Sequence, residues 1–211
     1  MLTPETREYR SFELQSKTEN EPNDSMIIEG RAVVFNSPEV MFEMDGIQYT
    51  EEIDKDAFKD AKMSDVILNM NHEGQALART RNNTLQLDLN ENGLDVVADM
   101  SKSRASRDAY EAVQNGLLDK MSFAFTVAED SYDEKAHKRT IRRIDRLFDV
   151  SLVNVPAYEA TSVSARSYFA AKAEAERKAA EAAEMEAEAS RVREEKRAAL
   201  SERLKKLGGV D

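Results

Sequence analysis

Among 211 residues the chain has no cysteine and two histidines, His72 and His137. This excludes thiolate nucleophiles, disulfides and thiolate metal sites, and it leaves two side chains that can act as a base near neutral pH. The histidines stand far apart with no cysteine near them, so the short ligand spacing of a zinc site is missing, and we expect neither a metal nor a cofactor. His72 lies in DVILNMNHEG, where an apolar strand runs out into Asn71, His72, Glu73 and Gly74. A strand end can hold a catalytic group rigidly and still leave it accessible. The plainer reading is a polar loop histidine. His137, between Ala136 and Lys138 in a charged segment, reads as solvated.

Two further segments supply partners for a base. In KMSFAFTV, Met121, Phe123, Phe125 and Val127 alternate with Ser122, Ala124 and Thr126. A strand therefore puts the large apolar side chains on one face and Ser122 among small ones on the other. Small neighbours would leave room for an extended substrate beside a serine nucleophile, although a serine on the outer face of an amphipathic strand is also ordinary surface. In RLFDVSLVNVPA, Phe148, Val150 and Leu152 alternate with Asp149 and Ser151. A half-buried carboxylate is costly unless it is paired or hydrogen-bonded, and an imidazole N–H would satisfy it. In a serine triad such an acid holds the histidine in the tautomer that can take the serine proton. Pairing with Arg143, Arg146 or a backbone N–H is the structural alternative.

Positioning these groups falls to a β-rich region over residues 1–164. Short strand-like runs at 7–14, 26–35, 66–70, 76–80, 84–89, 94–100, 120–128, 139–146 and 148–155 are separated by turn-forming residues. Helices are expected near 54–61 and 103–115, the second stopped by Gly116. The polar segment 128–139 reads as an exposed hairpin connection. From 165 to 211 the composition turns to Ala, Glu, Lys and Arg, and predicts one long helical tail. Its few large apolar residues, Met185, Val192, Leu200, Leu204 and Leu207, form a weak coiled-coil stripe. That stripe is open to solvent, to a partner or to self-association into a homo-oligomer.

The net charge is −11, and residues 172–206 hold ten Lys and Arg against nine Glu, so the acidity belongs to the β-rich region. A body that acidic repels nucleic acid phosphates. No apolar run reaches the roughly 18 residues of a membrane span, and no basic start precedes an apolar block at the N-terminus, so no membrane partner and no export are expected.

Taken together, GRAVVFN, EEIDKDAF, the NHE with His72, GLLDKMSFAF with Ser122 and LFDVSLVNVPAYEAT with Asp149 resemble the prohead proteases of tailed bacteriophages. That family is similar in fold to the herpesvirus assemblins. The resemblance implies an α+β fold that is mainly β: a closed or nearly closed β-barrel flanked by helices, followed here by the long C-terminal helix. It also implies a serine endopeptidase with Ser122 as nucleophile, His72 as base and Asp149 as the third catalytic residue. Family members commonly carry Glu where Asp149 stands, so Glu73 and Asp145 remain alternatives for the acid. Arg79 is a candidate helper for oxyanion stabilisation. The implied substrates are phage proteins inside the assembling procapsid in the host cytoplasm: the major capsid protein with its scaffold segment, the portal, and the protease's own ends. A rival reading is a non-enzymatic scaffold or capsid-assembly protein acting through its helical tail, and a third is a small acidic binding module.

Overall fold

The computed structural model describes residues 7–13, 26–154 and 163–207. Among them ten strands and two helices follow in order. They are β1 (Glu8–Glu13), β2 (Ile27–Val34), β3 (Glu39–Met44), β4 (Ile47–Ile53), β5 (Ile67–Met70), β6 (Glu73–Arg79), β7 (Leu85–Leu89), β8 (Gly93–Asp99), α1 (Arg104–Gln114), β9 (Lys120–Asp133), β10 (Lys138–Val153) and α2 (Val163–Leu207). The chain divides into two compact units, Met1–Phe169 and Ala170–Asp211. α2 begins in the first and forms the described part of the second.

β9 and β10 make a long antiparallel hairpin that is the spine of a seven-stranded sheet. β1 pairs with the outer edge of β9. The other edge of β10 takes two parallel neighbours in turn: β4, which carries β3, along its first half, and β5, which carries β6, along its second. β2, β8 and β7 form a separate three-stranded sheet. One apolar core joins the two, with Ile28, Val33, Leu94 and Val96 from the small sheet and Leu68, Phe123, Phe125 and Val150 from the large one. α1 adds Ala109 and Val113 to this core. Ser103 caps its N-terminus by accepting from the Ser106 N–H at 3.0 Å. Gly116 follows its end at positive φ, the left-handed conformation that commonly stops a helix.

Several features depart from the sequence reading, among them the segment 128–139, expected as an exposed connection, most of which is paired strand. Among the described residues no ladder joins the two sheets, so the expected closed or nearly closed barrel is instead an open pair of sheets. β2 ladders with β8 on one side only and meets the large sheet through side chains, which bury apolar area without edge-to-edge hydrogen bonds. The expected helix at 54–61 is a run of single turns closed by Ala57 N–H to Asp54 O, Lys59 N–H to Asp56 O and Ala61 N–H to Phe58 O. The hairpin of β3 and β4 was not anticipated, although its turn at Asp45 and Gly46, both at positive φ, is a strong hairpin signal. Finally, the runs expected at 139–146 and 148–155 are one bulged strand, β10.

On the Phe123 and Phe125 face of the large sheet lies a buried ionic cluster. Arg10 of β1 grips Glu51 of β4 with Nε and Nη2 at 2.5 and 2.7 Å and donates to Glu8 at 2.6 Å. Arg139 of β10 donates to Glu8, Glu51 and Asp130, and its guanidinium lies 4.5 Å from the centre of the Tyr168 ring. Burial alone would push the Glu8 carboxyl up, but the charges of Arg10 and Arg139 overcome it and hold Glu8 below its ordinary 4.5.

Removing one member leaves the others buried without compensation, which costs about 3–5 kcal/mol. Arg139→Met should lower the unfolding free energy by about that amount in urea at pH 7. Because the folded-state pKa of Glu8 is depressed, its contribution is complete above 4.5 and is lost as pH falls through the lower folded value. The urea midpoint of the unsubstituted protein should therefore drop steeply only below about pH 4.5. A midpoint indifferent to Arg139→Met would show that the cluster does not hold the sheet.

Candidate active site

Ladder register assembles the site. Ser151 of β10 stands opposite Ser122 of β9, and Asn69 of β5 lies beside Ser151 on the other side. Asp149 stands one step along, opposite Ala124 and beside Ile67. Directly paired residues share a face of a sheet, so Ser122, Ser151, Asn69 and Asp149 form one patch. His72 comes from the two-residue turn between β5 and β6, where Met70 and Glu73 still pair. Asn71 and His72 both have positive φ, as a tight turn matching the twist of its strands requires. The Asn71 N–H donates to Leu152 O at 3.0 Å and the Asn154 N–H donates to Asn71 Oδ1 at 3.2 Å, which ties the turn to the end of β10.

The His72 ring lies between two partners. Nδ1 is 2.6 Å from Asp149 Oδ1, and Nε2 is 2.7 Å from Ser122 Oγ. A carboxylate has no hydrogen to give, so Nδ1 carries the proton and Nε2 presents its lone pair to Ser122. The edge of the imidazole packs against Tyr9 of β1, with centroids 4.6 Å apart at 62°. An arrangement of this kind can move a proton from a serine hydroxyl through an imidazole whose tautomer is fixed by a carboxylate.

Two features differ from the sequence reading of this face. Ser122 is fully buried rather than set in open space, and Asp149 is 5% exposed. Ser122 Oγ also lies 2.8 Å from Arg10 O, a carbonyl of β1, so two acceptors compete for one hydroxyl hydrogen.

The remaining candidates lie elsewhere. Glu73 is exposed at the start of β6, and Asp145 accepts from Lys62 Nζ at 2.9 Å. Neither is drawn to His72 by these contacts. Arg143 lies 3.7 Å from Glu129, and Arg146 lies over Phe148, so neither takes the place of His72 at Asp149. Arg79 is clamped in a two-point pair with Asp65, at 2.7 and 2.6 Å, which commits its donors to a carboxylate. His137 is half-buried against Tyr49 at the opposite end of the β9–β10 hairpin, rather than solvated. Among the described residues no group of three acidic or histidine side chains could hold a metal ion, and no helix is long and apolar enough to cross a membrane.

Sequence reasoning overlooked three residues of the patch: Tyr9, Asn69 and Ser151. The signal for Ser151 was present, since it shares the alternation that singled out Asp149. Asn69 is a polar residue inside the apolar run VILNM, a similar anomaly.

A family model described as caudovirus prohead serine protease matches residues 11–176, which takes in His72, Ser122 and Asp149. No curated protein and no solved structure matches the chain.

The His72 geometry can be read directly by proton NMR. A hydrogen held between Nδ1 and a carboxylate oxygen at 2.6 Å should exchange slowly and resonate well downfield of the backbone amides. The signal should vanish in Asp149→Ala and persist in His137→Ala. Its persistence in Asp149→Ala would rule out the contact.

Proposed function

The chain belongs to the caudovirus prohead serine protease family, and we propose that in it Ser122 is the nucleophile, His72 the base and Asp149 the acid that orients the base. Family membership makes it a serine peptidase of prohead maturation, acting inside the procapsid. The observation that carries the residue assignment is the placement of His72 between the other two, 2.7 Å from Ser122 Oγ and 2.6 Å from Asp149 Oδ1.

The chemistry follows from these positions. Ser122 Oγ attacks the carbonyl carbon of the scissile peptide while its proton passes to His72 Nε2. Asp149 accepts the Nδ1–H throughout and stabilises the imidazolium that forms. His72 then gives its proton to the leaving nitrogen, the C–N bond breaks, and the acyl group remains on Ser122. Water, deprotonated by the same imidazole, releases it and restores the hydroxyl. The Ser122 hydrogen must point to His72 rather than to Arg10 O for the first step to occur.

The substrates we propose are the major capsid protein with its scaffold segment, the portal, and the protease's own ends. The domain division we propose places the peptidase in residues 1–164 and an assembly function in residues 165–211, where the exposed Met185, Val192 and Leu200 can take up shell or scaffold chains or a second copy of the protein.

Co-expression with the capsid protein, followed by intact mass, tests the reading. The unsubstituted chain should shorten the capsid protein, and Ser122→Ala and His72→Ala should abolish this while His137→Ala leaves it unchanged. Asp149→Asn should slow cleavage by about 10⁴, since it presents an amide where the imidazole needs an acceptor. Intact capsid protein in the presence of the unsubstituted chain, with assembly proceeding, would favour the scaffold reading instead.

A further inference from the structure

We propose that Ser151, anchored by Asn69, is a positioning residue that sets both the imidazole and the carboxylate of the site; the proposal rests on the assignment of His72 and Asp149 above. Ser151 Oγ is fully buried and stands at the junction of four groups. It accepts from the backbone N–H of His72 at 3.1 Å. It lies 3.1 Å from His72 Nδ1 and 3.1 Å from Asp149 Oδ1. On its far side it meets the side-chain oxygen of Asn69, itself 3% exposed, in a short hydrogen bond.

Hydrogen counting gives this junction its meaning. A hydroxyl has one hydrogen and two lone pairs. The hydrogen goes to Asn69 or to Asp149, and in either case a lone pair is left for the His72 N–H. That N–H belongs to a residue at positive φ. Such a conformation is unfavourable for any residue with a Cβ and persists only where its surroundings enforce it. Ser151 is therefore part of what holds His72 in the turn that aims its ring. The same oxygen flanks the Nδ1–Asp149 contact, so it limits the swing of both partners. Asn69 restrains the Ser151 rotamer from the neighbouring strand, where parallel pairing places it in register.

Ser151 is fully buried, Asn69 is 3% exposed and neither exchanges a proton with the substrate in the proposed chemistry, so loss of Ser151 should appear in turnover and not in binding. In purified protein acting on purified capsid protein, Ser151→Ala should lower kcat roughly ten- to a hundredfold, the scale of a small misplacement of a catalytic group, with KM changed by less than about twofold. The rate at which a small fluorophosphonate labels Ser122 should fall in parallel. Thr and Val have nearly the same shape and differ in the hydroxyl, so Ser151→Thr should recover much of the rate that Ser151→Val loses. A folded Ser151→Ala with kcat near that of the unsubstituted protein would overturn the proposal, as would a Thr variant no faster than Val. If Ser151→Ala does not fold, Asn69→Ala carries the test: it should lower kcat at constant KM, and an unchanged kcat is again fatal. Full activity in Ser122→Ala or His72→Ala would instead sink the catalytic assignment on which this rests.

Discussion

The register between β9 and β10 is the constraint on which the site depends. A slip of one residue would turn Ser122 to the face opposite Asp149 and leave a buried carboxylate without its imidazole. The hairpin does not hold this register by simple pairing. From Lys138 to Ser151 β10 advances thirteen residues, while from Asp133 to Ser122 β9 advances eleven, with irregularities between Ile141 and Asp149 taking up the difference. The excess is two, an even number, so the alternation of faces is restored by the time the strands reach the site. An odd excess would have put Ser122 on the face opposite Asp149 and Ser151. Bulges thus let the hairpin twist around the core and still deliver the polar residues to one side.

The ionic cluster holds the third strand of this arrangement. Arg10 puts its side chain among Glu8 and Glu51 on the core face, its carbonyl 2.8 Å from Ser122 Oγ, and its neighbour Tyr9 against the His72 ring on the other face. Buried charges add little net stability over a well-packed apolar alternative, but they are demanding about geometry. Glu51 on β4 and Arg139 on β10 admit Arg10 in one position along β9. The position of β1 along Ser122 is set in the same step. The position of β1 thereby fixes one of the two acceptors, Arg10 O and His72 Nε2, that compete for the single Ser122 hydrogen.

Much of the site was legible because it rests on short-range pattern. The alternation of Met121, Phe123 and Phe125 with Ser122 and Ala124 gave the faces of β9, and Asp149 stood out as an acid in an apolar run. What stayed hidden depends on distant pairing. Ser151 and Asn69 are 82 residues apart and meet only because β5 runs parallel to β10, which no local periodicity reports. The open sheets were hidden for the same reason, since the alternation in β2 says that one face is buried but not which strand it pairs with. The mistaken helix at 54–61 had helical spacing in Ala57, Phe58 and Ala61, yet a segment that short is marginal as a helix. Single turns bury Ala57 and Phe58 equally well.

The turn that carries His72 shows why the overlooked residues matter as much as the ones that stood out. Tight hairpins of this geometry favour Asn–Gly, and this one has Asn–His, so the fold accepts backbone strain to put an imidazole at the strand end. The compensation is local and comes from β10: Leu152 O takes the Asn71 N–H, Ser151 Oγ takes the His72 N–H, and Asp149 takes Nδ1–H. Each bond that offsets the strain also removes one freedom of the ring. A glycine in place of His72 would relax the turn and a serine placed elsewhere on β10 would loosen it. Strain and aim are therefore two consequences of one set of contacts.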